Sequence, residues 1–314
     1  MKSIFGVDVS MNTLDIGIDG NSTVNTIGNA LKPVRHWLKS VPAGSLIGVE
    51  STGNYHRLVV REAIAAGHTV YVLNARDLSH YASALGRRAK TDRLDALMIA
   101  RYLKHEHEQL FPYTLPSELQ EKLDELIARR HGIVVMHSAL RASLHSAQTR
   151  LKQERPALNA LNTLIEEIDT QLQALIQQDP ALATHASHLR QVVGFGALLS
   201  TTLAHALTRR SFKNDDAFIA YVGIDPKVRD SGQLRGRRRL SKRGPAEYRR
   251  LLFLAAMSAC KTKLWKPFYQ RYRDRGFSTI EALIILARKL ARVAFAIVKN
   301  GTDFDPTRIK VACV

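Results

Sequence analysis

Asp92 and Asp95 stand three residues apart in the stretch Ala89-Lys90-Thr91-Asp92-Arg93-Leu94-Asp95-Ala96, the opening turn of a helix predicted to run through Leu103. At that spacing both carboxylates leave one helix face, with Thr91 as a candidate N-cap. Two anions so placed repel, and a divalent cation that prefers hard oxygen ligands keeps both ionised. A helix dipole favours acids in any first turn, so the pair gains meaning only from company. Two further acids supply that company. Lys2 to Val9 reads as a strand with Asp8 near its end, and Leu46 to Glu50 as a short buried strand that finishes on Glu50. An acid at the carboxyl end of an apolar strand is where open α/β sheets place their chemistry. Taken singly, Asp8 fits a strand-end turn former and Glu50 a loop acid; taken together, Asp8, Glu50, Asp92 and Asp95 suit a divalent metal.

A second group of residues suits phosphate. From Lys227 to Arg250 ten basic residues (Lys227, Arg229, Arg235, Arg237, Arg238, Arg239, Lys242, Arg243, Arg249 and Arg250) face two acids, Asp230 and Glu247. Such a run is ordinarily a solvated face or loop. Here Gly223 precedes it, and Gly232, Gly236, Gly244, Ser231 and Ser241 thread it, which suits a backbone lying close to phosphates. On its own residues Ser231 is also a plausible turn residue and Ser241 a plausible helix cap. Upstream, Val193-Gly194-Phe195-Gly196 between two apolar stretches is similar to a helix-hairpin-helix turn, in which Gly194 and Gly196 would offer backbone N–H groups to a phosphate; such a turn also serves merely to reverse two helices, and the nearby charge favours phosphate.

The elements that must position these groups follow from periodicity. Strands to Val9, over Thr13 to Ile18 and over Thr23 to Ile27 precede a helix at Val34 to Leu38. Then come a strand at Leu46 to Glu50, a helix at Tyr55 to Ala66, a strand at Thr69 to Leu73, a helix at Leu78 to Leu85 and the Asp92 helix. The order is βββαβαβα, with parallel crossovers after the hairpins. Beyond residue 111, Leu119, Leu123, Leu126, Ile133, Leu140, Leu144, Ala147 and Leu151 form a stripe interrupted by Arg130 and His137. A second helix, expected after Arg155-Pro156, carries Leu161, Ile165, Ile168, Leu172 and Leu175. The stripe suits either a helical hairpin or a dimerising coiled coil. Helical patterns resume at Tyr248 to Ala256 and at Thr279 to Lys299. The expected domains are 1–110 (mixed α/β), 111–185 (helical hairpin or coiled coil) and 186–314 (mostly helical).

With 46 Lys and Arg against 28 Asp and Glu, the chain carries +18 and a pI near 10.2, which points to a polyanion such as nucleic acid. Its 45% hydrophobic and 24% charged residues suit a soluble globular protein. Cys260 and Cys313 are too few for a disulfide framework or zinc site, no apolar run approaches a membrane span, and a cytoplasmic protein without a membrane partner is expected.

The strand and helix order, with acids ending the first and fourth strands and opening the last helix, resembles the ribonuclease H fold of the Holliday-junction resolvase (RuvC-like) type. The actin-like ATPase fold also opens on Gly6-Val7-Asp8, but it needs Gly-rich phosphate loops that 51–200 lacks. Five motifs in order resemble the DEDD transposases of the insertion-sequence-110 family: Gly6-Val7-Asp8-Val9-Ser10, Glu50-Ser51-Thr52-Gly53-Asn54-Tyr55, Lys90-Thr91-Asp92-Arg93-Leu94-Asp95-Ala96, Val193-Gly194-Phe195-Gly196, and Asp230-Ser231-Gly232 leading to Leu240-Ser241-Lys242-Arg243-Gly244. Met11, Asp225-Pro226 and Pro245 depart from the family pattern. The resemblance implies a RuvC-like domain binding Mg²⁺ or Mn²⁺ through Asp8, Glu50, Asp92 and Asp95, a coiled-coil middle, and a C-terminal domain whose nucleophilic serine matches Ser231. It further implies donor and target DNA, a structured guide RNA and a homo-oligomer, dimer or tetramer. Arg229, Arg235, Arg237, Arg238, Arg239, Lys242 and Arg243 are the expected nucleic-acid contacts. A junction-resolvase-like nuclease without a covalent intermediate, and a non-catalytic nucleic-acid-binding protein, are the alternatives.

Overall fold

The computed structural model describes residues 2–51, 53–85, 92–149, 151–227, 230–231, 234–235 and 239–309, with side chains described for all of these except 92–94, 227, 230–231 and 234–235. The chain divides into two compact units, Met1–Leu115 and Pro116–Val314.

In the first unit, β1 (Ile4–Val9), β2 (Thr13–Ile18), β3 (Val24–Gly28), β4 (Leu46–Glu50) and β5 (Thr69–Leu73) form one sheet in the order β3-β2-β1-β4-β5. The first three strands are antiparallel neighbours; β4 joins β1, and β5 joins β4, in parallel. Alternation decides the faces. Phe5, Val7 and Val9 bury on one side with Leu14 and Ile16, against α1 (Leu31–Ser40) and α2 (Arg57–Ala65) through Val34, Trp37, Leu38, Val59, Val60 and Ala63. On the other side Leu46, Tyr71 and Leu73 meet Leu78 of α3 (Ala75–Ala84) and Met98, Ile99 and Leu103 of α4 (Asp92–Glu106). The predicted elements are all present, with helix limits shifted: α1 is longer than Val34 to Leu38, α2 begins at Arg57, and α3 begins at Ala75 because the Asn74 side chain caps it by accepting from the Arg76 N–H. Thr91, the expected cap of α4, lies outside the described residues.

Close approach of α4 to the sheet depends on glycine. A Cβ on Gly6 would sit 2.2 Å from the Ala96 carbonyl oxygen and 2.4 Å from the Ala100 nitrogen, and Gly17 and Gly48, its partners on β2 and β4, also face α4. The far end of α4 is fixed by Lys104 Nζ, 2.7 Å from Asp19, whose own N–H donates to the Ile4 carbonyl at the start of β1. The helix therefore runs against β1, and its first turn points to the end where β1 and β4 finish.

In the second unit α5 (Glu118–Ser146) and α6 (Glu154–Ile176) form a hairpin. Leu123, Leu126, Ile127 and Ile133 of α5, with Ile168, Leu172 and Ile176 of α6, enter one core with α7 (Pro180–Arg190), α8 (Ala197–Arg209), α9 (Asp215–Val222), α10 (Ala246–Ala259) and α12 (Thr279–Asn300); α11 (Lys266–Asp274) packs at its edge. Only the inner half of the stripe is covered: Leu140 and Leu144 are half-buried, and Ala147 and Leu151 are exposed. The second helix starts at Glu154, two residues before Pro156, which its first turn accommodates because an N–H there has no helical partner to lose.

The cationic interruption of the stripe has a physical reason. Arg130 makes a bidentate pair with Asp169 of α6 at 2.5 and 2.8 Å and lies 3.8 Å from Glu247, a carboxylate only 4% exposed. Glu247 also accepts from Arg250 at 2.6 Å and stands 2.8 Å from His131 Nδ1. Burial alone would raise the Glu247 carboxyl; Arg250 and then His131 outweigh burial and hold it below the usual carboxylate range. A depressed pKa stabilises the fold above the unfolded value, and that contribution is lost as pH falls through the folded one. Glu247→Gln deprives Arg250 of its carboxylate partner and removes the second anion beside Arg130, and is expected to cost about 3 kcal/mol near neutral pH. Urea unfolding reads this, and the gap to the parent should narrow in acid.

The run from Lys227 onward contains short strands for which the sequence gives no expectation. β6 (Pro226–Lys227) pairs antiparallel with β9 (Arg239–Leu240), and β7 (Asp230–Ser231) with β8 (Leu234–Arg235). Strands of two residues carry no alternation to read, which is why the sequence shows only a basic run.

Candidate active site and nucleic-acid surface

Asp8 follows Val7, which pairs with Val49, so Asp8 and Glu50 stand side by side in the β1/β4 register. Both point to the sheet face that α4 covers, the face of Gly6 and Gly48 two residues earlier. One oxygen of Asp8 accepts the Val9 N–H at 2.9 Å. Asp95 is half-buried, next to Ala96, whose carbonyl lies over Gly6. Asp92 opens the same helix turn. The fold thus brings Asp8, Glu50 and the first turn of α4 to one end of one sheet face. Among the described residues no group of three or more His, Cys, Asp or Glu side chains is arranged to hold a metal ion, and the Asp92 side chain is outside that description.

Two residues absent from the sequence reading belong to this end of the sheet. Asp15 is directly opposite Asp8 on β2, on the same face, and accepts a hydrogen bond from the Thr26 hydroxyl. Like charges directly opposite on neighbouring strands destabilise a sheet. The signal is an acid at the polar position of the alternation in Thr13-Leu14-Asp15-Ile16. Asn29 is the second: its Nδ2 donates to the Ser10 carbonyl at 2.9 Å and to the Tyr55 carbonyl at 3.1 Å, tying the loop after Asp8 to the loop after Glu50. No spacing announces a contact of that kind.

In the second unit, register places Ser231 opposite Leu234 and Asp230 opposite Arg235. Arg229, Arg237 and Arg238 lie outside the described residues. Arg239 is exposed on β9; Lys242 and Arg243 follow it, Lys242 with φ +52°. Ser241 caps no helix. It is 5% exposed, its N–H donates to the Asp225 carbonyl at 2.9 Å, and its hydroxyl donates to the Asp225 carboxylate, closing the stem below β6 and β9. Arg249 braces the same place: its guanidinium donates to the carbonyls of Val222, at 3.2 Å, and Gly244.

The expected helix-hairpin-helix turn joins α7 to α8. Gly194 has φ +103°, a conformation L side chains rarely adopt, and a Cβ there would meet Ala259 of α10 at 2.8 Å. Gly196 is the exposed N-cap of α8. Gly194 therefore serves packing as well as the turn, whereas Gly196 faces solvent.

Residues 18–153 match a transposase family model, DEDD_Tnp_IS110, and residues 186–272 match the model of the IS116/IS110/IS902 transposase family. The two matches follow each other along the chain and span both units. This chain belongs to the IS110 family of transposases. As a DNA transposase, a recombining enzyme, it has Glu50, Asp92 and Asp95 inside the first match and Gly194, Gly196 and the whole basic run inside the second; Asp8 precedes both. The transposase is similar to the pilin gene-inverting proteins of Moraxella bovis and Moraxella lacunata, each 25% identical across 97% of this chain and 98% of its own length. It is likewise 25% identical to the insertion element IS900 42 kDa protein of Mycobacterium paratuberculosis, across 89% of this chain and 71% of that one. Among the described residues no helix is long and apolar enough to cross a membrane.

Proposed function

We propose that the transposase cleaves and rejoins DNA by attack of the Ser231 hydroxyl on a backbone phosphorus, with Asp8, Glu50, Asp92 and Asp95 holding Mg²⁺ or Mn²⁺. The observation that carries the reading is the shared sheet face of Asp8 and Glu50, at the end to which α4 presents its acidic first turn. Carboxylates from two strand ends and one helix turn are the hard donors these cations take. Bound there, a divalent cation would neutralise charge on non-bridging phosphate oxygens. In the covalent step the Ser231 Oγ–P bond forms as the phosphorus bond to one deoxyribose oxygen breaks; the serine proton is balanced by protonation of that leaving oxygen. Rejoining reverses the step with a different hydroxyl. Arg229, Arg235, Arg237, Arg238 and Arg239 surround Ser231 in sequence and would offset the charge gathering on the phosphoryl oxygens. Gly196, Lys242 and Arg243 would hold the flanking backbone. The gene inversion named for the Moraxella relatives supports cutting and rejoining over cutting alone. The reading extends to a structured guide RNA, for which the net charge of +18 leaves ample counter-charge, and to a homo-oligomer, for which the uncovered outer half of the α5/α6 hairpin, with Val135, Met136 and Leu151 exposed, offers contact area.

Incubating the transposase with DNA and Mg²⁺ tests the reading. Denatured reactions should contain DNA that migrates with protein until a protease releases it, and none should form in excess chelator. Recombination that persists in chelator, or cleavage that yields only protein-free ends, would contradict it. Replacing Arg237, Arg238 and Arg239 with Ala should weaken binding and flatten its salt dependence by roughly 0.9 log–log units per lost duplex phosphate contact. An unchanged slope would make the run a solvated face.

A further inference from the structure

We infer that the turn between α10 and α11, with its exposed lysines, is a second surface for the phosphate backbone of duplex DNA, separate from the basic run of Lys227 to Arg250. Lys261 to Arg275 carries Lys261, Lys263, Lys266, Arg271, Arg273 and Arg275 against a single acid, Asp274. That density of cations matches the run from Lys227 to Arg250, and the segment is described throughout. Lys261, Lys263, Lys266 and Arg275 are exposed, and none of the three lysines has an ion-pair partner among the described residues. Asp274 does not compensate them locally; it accepts from Gln270 Nε2 at 2.8 Å.

The platform beneath these charges is rigid. Trp265 is fully buried and its Nε1 donates to the Val193 carbonyl at 3.1 Å, fastening the turn to the α7/α8 hairpin that also presses Gly194 against Ala259. Within the turn, Thr262 donates its N–H and its hydroxyl to the Ala259 carbonyl at 2.9 and 2.7 Å, and the Lys266 N–H donates to the Thr262 carbonyl at 2.9 Å. At the far end of α11, Arg275 lies 5.5 Å from the Tyr272 ring and 5.7 Å from Phe277, which holds its guanidinium in place without removing its charge. Like charges gathered on a fixed backbone repel one another, and a polyanion relieves that repulsion with little ordering cost. Lysines are hydrated point charges that neutralise phosphates without reading bases, which fits a surface that holds DNA beyond the cleavage point.

The inference rests on DNA being the substrate and not on Ser231 or the acids, so the test reads binding alone. Full-length Ser231→Ala protein, with and without Lys261→Ala, Lys263→Ala and Lys266→Ala, is titrated with a random-sequence DNA duplex in metal-free buffer over a range of salt. The triple substitution should make the log–log salt slope shallower by about 2 to 3 units, at roughly 0.9 per phosphate contact. Three Lys→Arg replacements should restore it. Should the triple variant melt early, Lys263→Ala alone should lower the slope by about 0.9. An unchanged slope, or a slope that falls for an RNA hairpin and not for the duplex, overturns this surface. A parent protein that binds no DNA refutes the substrate reading itself, a result distinct from an unchanged slope.

Discussion

Asp8→Asn and Glu50→Gln are each expected to reduce DNA strand cleavage by at least about 10³-fold, since stabilisation of several kcal/mol is at stake and each 1.36 kcal/mol is tenfold in rate. The amide keeps the shape of the carboxylate, and the side-chain carbonyl introduced by Asp8→Asn could still accept the Val9 N–H that Asp8 accepts at 2.9 Å. What the substitution removes is the charge that a hard cation requires. Stability should move the other way. Asp8 stands opposite Asp15 on β2, so removing one of two facing charges relieves repulsion, and thermal unfolding of Asp8→Asn without metal should occur at or above the parent temperature. Rate and melting temperature together separate a metal-site role from a structural one. Cleavage within tenfold of the parent would remove Asp8 from the site.

Gly6→Ala should do the opposite, damaging the fold first and activity as a consequence. The added Cβ would lie 2.2 Å from one backbone atom of α4 and 2.4 Å from another, and no rotamer change relieves a clash with backbone. A cost of about 3 kcal/mol or more is expected, the upper end for overpacking. Because α4 carries Asp92 and Asp95, any shift that admits the methyl also moves these acids relative to Asp8. Gly132→Ala in α5 is the control: nothing lies within 4 Å of its Cβ position, and a helical Gly→Ala change should stabilise by roughly 0.5–1 kcal/mol. Denaturant midpoints of opposite sign for the two variants check both statements.

The contrast between Asp8 and Asp15 shows what a sequence can carry. Asp8 and Glu50 were legible because each ends an apolar strand, a local pattern. Asp15 lies mid-strand, and its place beside Asp8 depends on the register of the β1/β2 hairpin, which no local pattern announces. The helix bearing Asp92 and Asp95 was legible from its period. Its direction across the sheet was not, since that follows from Gly6, Gly17 and Gly48 admitting the backbone and from the Lys104–Asp19 pair. In the second unit the stripe predicted α5 and α6, but half of it is covered by helices distant in sequence. Ser241 shows the converse: a small hydroxyl residue before Lys-Arg-Gly suggests a cap, whereas its hydroxyl donates a hydrogen bond to Asp225, sixteen residues earlier.

The central claim is that Ser231 becomes covalently joined to DNA, and mapping the joined peptide tests it most directly. Reactions of the full-length transposase with DNA and Mg²⁺ are denatured, digested with protease and nuclease, and the nucleotide-bearing peptide is located by mass spectrometry. The modified residue is expected to be Ser231, and Ser231→Ala should yield no such peptide while still binding DNA. A nucleotide on Ser241 or on a tyrosine such as Tyr248, or cleavage with no modified residue, would contradict the account.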